Sequence, residues 1–141
     1  NEKIQAVFPK LFEGGTAQLA LTDPKHPLDS GVSFLVKPPG KRLTRMSLLS
    51  GGEKALSAIA LVFSLFLIRP TAFCILDEID APLDNVNISR FNQLLKEIGS
   101  RSQVVMITHD RQTMETANSL FGVTMEEKGI SKLVSLDFKN S

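Results

Sequence analysis

The chain has 141 residues, of which 43% are hydrophobic and 22% charged, and its formal net charge is +1. This length predicts one globular domain with a buried core, and the small net charge excludes nucleic-acid binding driven by bulk charge. The single cysteine, Cys74, excludes an internal disulfide and suits a reducing compartment. The longest apolar stretch, 55–68, is shorter than the roughly 20 residues that cross a bilayer, so we expect a buried helix and no membrane contact.

The first third of the chain predicts a helix end followed by a hairpin. Residues 1–12 indicate the end of an incoming helix, which the glycine pair 14–15 terminates. Alternating apolar residues then predict two half-buried strands, one around Leu19 and one around Phe34. The turn-rich segment 23–31 joins these strands, as expected for a hairpin.

A loop and a long apolar helix follow the hairpin. The loop PPGKRL, residues 38–43, leads to the motif LSGGEK, residues 49–54. The predicted helix that starts there is apolar on nearly every side, so we expect it at the centre of the domain. The basic residues of 37–45 favour a solvated loop, with contact to DNA phosphates as the alternative.

Two short apolar runs in the second half of the chain predict parallel strands. The runs 73–76 and 104–107 do not alternate with polar residues, which is typical of parallel strands covered on both faces. Between them, apolar residues recur at helical spacing: Ile88, Phe91, Leu95 and Ile98. Strand, helix and strand in this order predict a βαβ unit with a right-handed crossover. A short helix from Arg111 and a strand pair over 123–138, turning at 127–129, complete an α/β domain.

Polar residues follow both predicted parallel strands at the point where each strand ends. Asp77 and Glu78 follow the first strand, and His109 follows the second. Because ligands of open α/β sheets bind beyond the carboxyl ends of the strands, we expect these side chains on one rim if the strands are neighbours. In nucleotide hydrolysis, Asp77 would hold Mg²⁺, Glu78 would orient the attacking water, and His109 would contact the terminal phosphate. The alternative is that the carboxylates only cap the next segment.

The motif LSGGEK has two interpretations at the start of the predicted helix. Ser50 and Glu53 fit the pattern S-x-x-E of a capping box, which leaves the two glycines unexplained. Glycine inside a helix is less favourable than alanine by roughly 1 kcal/mol. The second interpretation is that Gly51 and Gly52 leave the first amides of the helix open to a phosphate group, while the Ser50 hydroxyl adds a hydrogen bond.

The order of these motifs resembles that of the ATP-binding-cassette ATPases. LSGGEK, FCILDE, IDAPLD and the strand ending in THD match the signature motif, the Walker B strand, the D-loop and the switch histidine. The closer resemblance is to the structural maintenance of chromosomes (SMC) proteins, through LSGGEKALSAIAL, LDEIDAPLDNVN and GVTMEEKGISKLVSL. It implies that residues 1–141 form one domain, the carboxy-terminal lobe of an SMC ATPase head, with a coiled-coil end near 1–12. The implied fold is α/β, a mainly parallel sheet with helices on both faces plus antiparallel hairpin strands.

The resemblance also implies a role for each matching residue. The signature would cap the γ-phosphate of ATP held by a second head, and the D-loop aspartate would lie across the contact between heads. The Walker B aspartate would hold Mg²⁺, with a catalytic glutamate after it. The matching positions are Ser50, Gly51, Gly52 and Glu53 of the signature, Asp77 of Walker B, the catalytic glutamate Glu78, Asp84 of the D-loop, and the switch histidine His109.

Cofactors and partners follow from the same resemblance. ATP and Mg²⁺ are the implied ligands, and the implied partners are the amino-terminal half of the head, a second head, a kleisin subunit and DNA. The implied location is the bacterial cytoplasm, at the nucleoid. The chain lacks the phosphate-binding pattern G-x-x-x-x-G-K-[ST], so we expect it not to hydrolyse ATP alone. The alternatives are a head fragment of a DNA-repair ATPase of the Rad50 or RecN kind, and a non-catalytic platform for kleisin or DNA.

Overall fold

The computed structural model describes residues 1–137. The described helices are α1 Glu2–Phe12, α2 Gly51–Ile68, α3 Asn85–Gly99 and α4 Arg111–Met114. The described strands are β1 Thr16–Leu21, β2 Val32–Lys37, β3 Thr44–Arg45, β4 Phe73–Asp77, β5 Gln103–Ile107, β6 Ser119–Glu127 and β7 Ile130–Asp137. A 3₁₀ turn over Met46–Leu48 precedes α2. The elements predicted from the sequence are present, and β3 with the 3₁₀ turn is added between the expected loop 38–43 and the motif LSGGEK.

The parallel strand pair is the part of the fold that positions the predicted rim. β4 and β5 pair in parallel, with Cys74 opposite Val104 and Asp77 opposite Ile107. α3 connects the two strands, and its buried residues include Phe91, which is fully buried. The βαβ unit predicted from the apolar runs is therefore confirmed. The carboxyl ends of β4 and β5 meet at one edge, as parallel pairing requires.

The remaining described strands pair antiparallel. β1, β2 and β3 form one sheet in that order, and β6 pairs with β7 in another. Parallel pairing among residues 1–137 is thus confined to β4 and β5, so the hairpin strands outnumber the parallel ones in this chain. The predicted tail hairpin begins earlier than expected, at Ser119, and Phe138 lies outside the described residues.

α1 ends in a tight turn of three consecutive residues with positive φ. Glu13 adopts a left-handed conformation with φ 53°, and Gly14 and Gly15 follow with φ 121° and 74°. A Cβ atom on Gly15 would lie 2.4 Å from the carbonyl oxygen of Lys37, closer than any side chain tolerates. The prediction that the glycine pair terminates the first helix is confirmed, and the turn brings β1 against β2.

The core lies where α1, α2 and α3 meet. Phe8 and Phe12 of α1 stack with ring centroids 4.2 Å apart, and Phe63 of α2 stacks on Phe91 of α3 at 5.5 Å. The Phe8, Phe63 and Phe91 side chains are fully buried. Full burial of such a side chain contributes about 1.5–3 kcal/mol to stability. The stacking of Phe63 on Phe91 packs the second half of α2 against the middle of α3.

Arg90 of α3 joins the end of α1 to the first turns of α3. Its guanidinium contacts the Glu13 carboxylate at 2.6 Å and donates to the carbonyl oxygen of Leu11 at 3.4 Å. It also donates to the Asn87 side chain at 3.0 Å. The Arg90 side chain is 19% exposed and that of Glu13 is 73% exposed, so solvent weakens this ion pair as it weakens surface pairs.

One face of the parallel strand pair is exposed in this chain. Cys74 and Leu76 of β4 point into the core, whereas Phe73 and Ile75 on the opposite face are 60% and 62% exposed. β5 shows the same alternation, since Ile107 is 53% exposed. The expectation that these strands are covered on both faces is therefore wrong for residues 1–137. The exposed face of β4 and β5 would be covered only by a surface outside residues 1–137.

α2 is the one described helix that is long and apolar enough to cross a membrane by length and composition. Leu56, Ala60 and Phe63 pack in the core described above. Leu65 and Ile68 near its end remain more than half exposed. The prediction of a buried, central helix therefore holds for one face of α2 only, and its last turns are as exposed as the outer face of β4 and β5.

Candidate functional site

Glu78 and His109 lie beside each other just beyond the ends of β4 and β5. His109 Nδ1 is 4.0 Å from Glu78 Oε1, and the two side chains are 73% and 61% exposed. The Glu78 amide donates to the carbonyl oxygen of Ile107 at 2.9 Å, which continues the pairing of the strands by one residue. Asp77 is opposite Ile107 in the register and is exposed. The rim predicted from the sequence is present, and the chemical roles of its residues stay predictions.

The backbone of Glu78 adopts a conformation that is rare for residues other than glycine. Its φ is 47°, in the left-handed region, which is unfavourable by roughly 1–2 kcal/mol. The Glu78 carbonyl oxygen accepts from the Ala81 amide at 3.2 Å, so the chain turns sharply after β4. Strained residues of this kind cluster at functional sites. The turn presents the carboxylate beside His109, and no pattern in the sequence indicates it.

Asp80 is a buried carboxylate that the sequence analysis missed. It is 1% exposed, and its Oδ2 accepts a hydrogen bond from Thr108 Oγ1 at 2.6 Å. The same hydroxyl oxygen accepts from the Asp110 amide at 3.0 Å. Asp80 Oδ1 is buried and has no hydrogen-bond partner within residues 1–137. The sequence does not distinguish Asp80 from the exposed carboxylates around it, because its burial depends on tertiary packing.

Ser50 and Glu53 form the capping box at the start of α2, so that interpretation is confirmed. The Ser50 amide and hydroxyl both donate to Glu53 Oε2, at 3.3 Å and 2.8 Å. Lys41 Nζ donates to both oxygens of the same carboxylate, at 2.7 Å and 3.0 Å. Lys41 and Ser50 therefore hold the pKa of Glu53 below its ordinary value. Lys41 was predicted to be part of a solvated basic loop, and its ammonium group binds the glutamate of the signature motif.

The glycines of the signature face open space. A Cβ atom on Gly51 would meet no described atom within 4 Å, and one on Gly52 would come only to ordinary contact, 3.6 Å from the carbonyl oxygen of Pro82. Neither glycine has a positive φ. Sterics within the described chain therefore do not require glycine here. This agrees with the interpretation that an approaching ligand requires it, and the open amides begin at Gly51, since Ser50 is bonded to Glu53.

Asp84 begins α3 and lies in the predicted D-loop. Its Oδ1 accepts from the Asn87 amide at 2.9 Å, as an N-cap side chain does. The proximity of Gly52 to Pro82 places this loop beside the start of α2. Within residues 1–137, no hydrogen bond or ion pair joins Ser50 to Glu78. We treat the start of α2 and the rim as two clusters, since no polar contact among the described residues joins them, and the D-loop approaches the first.

Asp77 is the predicted ligand of Mg²⁺. No group of three or more His, Cys, Asp or Glu side chains that could hold a metal occurs among the described residues. Mg²⁺ in nucleotide sites is held by one or two carboxylates together with phosphate oxygens and water. A single exposed carboxylate at the end of a strand fits this pattern, and it does not fit a metal cage built from protein ligands alone.

Comparison with protein families decides the family. A family model described as the RecF/RecN/SMC N terminal domain matches residues 17–132. The chain belongs to this family. The chromosome partition protein Smc of Myxococcus xanthus is 55% identical over 141 residues, which cover 100% of this chain and 12% of that protein. The Smc protein of Bacillus subtilis is 52% identical over 135 residues, 96% of this chain and 11% of that protein. The chain thus spans only about an eighth of the length of these curated relatives.

Solved structures of SMC heads share the fold. A crystal structure of an Smc head bound to the C-winged helix domain of ScpA has a TM-score of 0.91 and 40% identity. The match covers 98% of this chain and 42% of that one. A structure from work on ATP-driven dimerization and DNA-stimulated activation of SMC ATPases has a TM-score of 0.87 and 40% identity, over 96% of this chain and 82% of that one. The predicted α/β fold of an SMC ATPase head is confirmed. That the chain is the carboxy-terminal half of the head stays a prediction.

Proposed function

We propose that this chain is the carboxy-terminal half of a head that binds and hydrolyses ATP in bacterial chromosome segregation. The observation that carries the proposal is the exposed start of α2, where Gly51 and Gly52 leave the first amides free to bind a phosphate. The positive end of the helix dipole and unpaired N–H groups favour an anion at this point. The second cluster is the rim, where Asp77, Glu78 and His109 supply the carboxylates and the imidazole that hydrolysis needs.

The residues of the two clusters take different parts in the proposed reaction. Glu78 orients the attacking water and accepts its proton, while His109 contacts the γ-phosphate from the neighbouring strand end. Asp77 would hold Mg²⁺, which neutralises phosphate charge when bound. Because the α2 start and the rim are separate within this chain, we infer that each cluster serves a different ATP. Two heads related by a two-fold axis would then enclose two ATP molecules, with the D-loop residue Asp84 at the contact.

The exposed apolar face of β4 and β5 indicates how the head is completed. Phe73, Ile75 and Ile107 are each more than half exposed on this face. Contiguous apolar surface of this kind marks an interaction site. We infer that the amino-terminal half of the same head covers it and brings the phosphate-binding pattern that this chain lacks. The isolated chain would then be inactive, and the head formed by the two halves is the active unit, called the reconstituted head below.

The relatives supply the biological setting of the proposal. One head of the same fold was solved with the C-winged helix domain of ScpA, and another comes from work on dimerization driven by ATP and activation by DNA. We infer that this chain likewise acts with a kleisin subunit and DNA, in the cytoplasm at the nucleoid. The similarity of nearly the whole of this chain to a part of chromosome partition proteins favours this over a repair ATPase of the Rad50 or RecN kind.

The proposal is tested by ATP turnover in the reconstituted head. Glu78→Gln is expected to abolish turnover and to accumulate ATP-bound dimers, whereas Glu2→Gln, an exposed change in the first turn of α1, serves as control. Ser50→Arg is expected to leave ATP binding to one head intact and to prevent dimerization, with the exposed Ser131→Arg as its control. Dimerization of the Ser50→Arg head on ATP would refute the role of the signature. Absence of turnover in the wild-type head would favour the non-catalytic platform.

A further inference from the structure

We propose that Asp80 is a positioning residue that fixes His109 against Glu78, acting through the hydroxyl of Thr108. The inference rests on the proposed ATPase function, because it assigns a residue to that reaction. It concerns a buried residue that belongs neither to the rim nor to the start of α2. Its support comes from the hydrogen bonds and the burial of Asp80.

The bonds of Thr108 hold the chain on both sides of His109. Thr108 Oγ1 donates to Asp80 Oδ2 at 2.6 Å and accepts from the Asp110 amide at 3.0 Å. Because the hydroxyl accepts from Asp110, its single proton remains available for Asp80. Asp110 in turn caps α4, since its Oδ1 accepts from the Thr113 amide at 2.9 Å. The residues before and after His109 are therefore fixed by one hydroxyl, which Asp80 orients.

The backbone of Asp80 belongs to the turn that presents Glu78. The Asp80 carbonyl oxygen accepts from the Leu83 amide at 2.9 Å, and the Glu78 carbonyl oxygen accepts from the Ala81 amide at 3.2 Å. Glu78 itself is held to β5 through its amide and the carbonyl oxygen of Ile107. One residue thus joins the turn carrying the proposed base to the segment carrying the histidine. This arrangement places the two exposed side chains beside each other, with 4.0 Å between His109 Nδ1 and Glu78 Oε1.

The burial of Asp80 lowers the stability of the fold, so stability does not explain why a carboxylate lies here. A carboxylate that is 1% exposed loses its hydration, and only one of its oxygens has a hydrogen-bond partner within residues 1–137. A packed apolar pair at Asp80 and Thr108 would fill this volume without that penalty. A buried polar group with an unsatisfied atom calls for an explanation other than stability. Orientation of His109 relative to Glu78 is the explanation that the contacts support.

The test removes the hydroxyl without changing the shape of the side chain. In the reconstituted head, Thr108→Val is expected to lower kcat about 10- to 100-fold, as small misplacements of reacting groups do, with little change in the KM for ATP. Thr108→Ser keeps the hydroxyl and is expected to retain activity. The control is Thr113→Val, because Thr113 is more deeply buried than Thr108 and its hydroxyl has no partner in the described part of the chain. Thermal unfolding is measured for every variant.

A second background separates positioning from general damage. If Asp80 and Thr108 act through His109, then Thr108→Val produces no further loss of kcat in a His109→Ala head. An equal loss in both backgrounds, or a wild-type kcat for Thr108→Val, overturns the inference. A loss that Thr113→Val reproduces overturns it as well.

A measurement independent of turnover distinguishes this inference from the proposed function. With only this half of the head isotope-labelled, its two histidines, His26 and His109, are observed by NMR. Thr108→Val is expected to shift the imidazole signals of His109 and to leave those of His26 in place. Unchanged His109 signals overturn the inference. If the wild-type head shows no turnover and Thr108→Val still shifts the His109 signals, the positioning of His109 is supported while the proposed ATPase function is refuted.

Discussion

Replacement of Gly51 by alanine is predicted to stabilise the fold and to impair ATP-driven dimerization. Gly51 is the first residue of α2, its φ is not positive, and an added Cβ meets no described atom within 4 Å. Alanine fits this backbone and restricts the unfolded chain, which increases the free energy of unfolding by about 0.4–1 kcal/mol. For a domain of this size the melting temperature rises by about 2–5 °C.

The same methyl group is expected to weaken dimerization much more strongly. It occupies the space through which a phosphate would reach the first amides of α2. Loss of one hydrogen bond to a charged group is unfavourable by about 1.5–3 kcal/mol. A two-fold dimer contains two such sites, so the loss totals about 3–6 kcal/mol. At 1.4 kcal/mol per factor of ten, dimerization weakens by roughly 10²- to 10⁴-fold.

Sedimentation velocity with ATP measures dimerization of the Gly51→Ala head in a Glu78→Gln background. The matched control is Gly99→Ala at the end of α3, where an added Cβ also meets no described atom within 4 Å. Both variants are expected to gain stability, and only the control is expected to dimerize normally. If Gly51→Ala dimerizes on ATP like its parent, the amides of α2 are not the phosphate site and the reasoning from the glycines is refuted.

Three further predictions concern stability. Lys41 lowers the pKa of Glu53 from its ordinary value of 4.5, so their pair stabilises the fold above pH 4.5. This contribution is lost as the pH falls through the lowered pKa. Lys41→Met should therefore flatten the fall of the melting temperature with pH in this acidic range. Phe63→Ala removes a fully buried ring and is expected to lower the free energy of unfolding by about 3–5 kcal/mol in denaturant titrations, and a loss below about 1 kcal/mol would contradict the packing. Arg90→Met removes the polar contacts between α3 and the end of α1 and is expected to speed hydrogen exchange in α1, with the Glu13→Gln variant showing a smaller effect in the same direction.

The elements with strong local signals were predictable from the sequence. The helical spacing of Phe91 and its neighbours gave α3, and the unalternated runs gave the parallel pair β4 and β5. The glycines after α1 gave its end, since positive φ values leave few other residues possible. The capping box at Ser50 was also predictable, because it depends on residues three positions apart.

The features that depend on tertiary contacts were not predictable. The continuous apolar run of β4 does not reveal that Ile75 faces outward while Leu76 faces the core, since both residues fit either face. Asp80 bonds to Thr108, and Lys41 bonds to Glu53. In each pair the two residues are distant in sequence, so no local pattern indicates the contact. The left-handed backbone of Glu78 lacks a local signal, because glutamate seldom adopts it. The rim was predicted as a set of residues, and the contacts that hold it were found only in the structure.

Cys74 is a natural probe for local opening of β4. This residue is the sole cysteine, its side chain faces the core from β4, and burial raises the pKa of its thiol. A thiol of this kind reacts with an alkylating reagent only when its strand detaches and the thiolate forms in water. Alkylation kinetics therefore time the separation of the strand that leads directly into Asp77 and Glu78, without any introduced label.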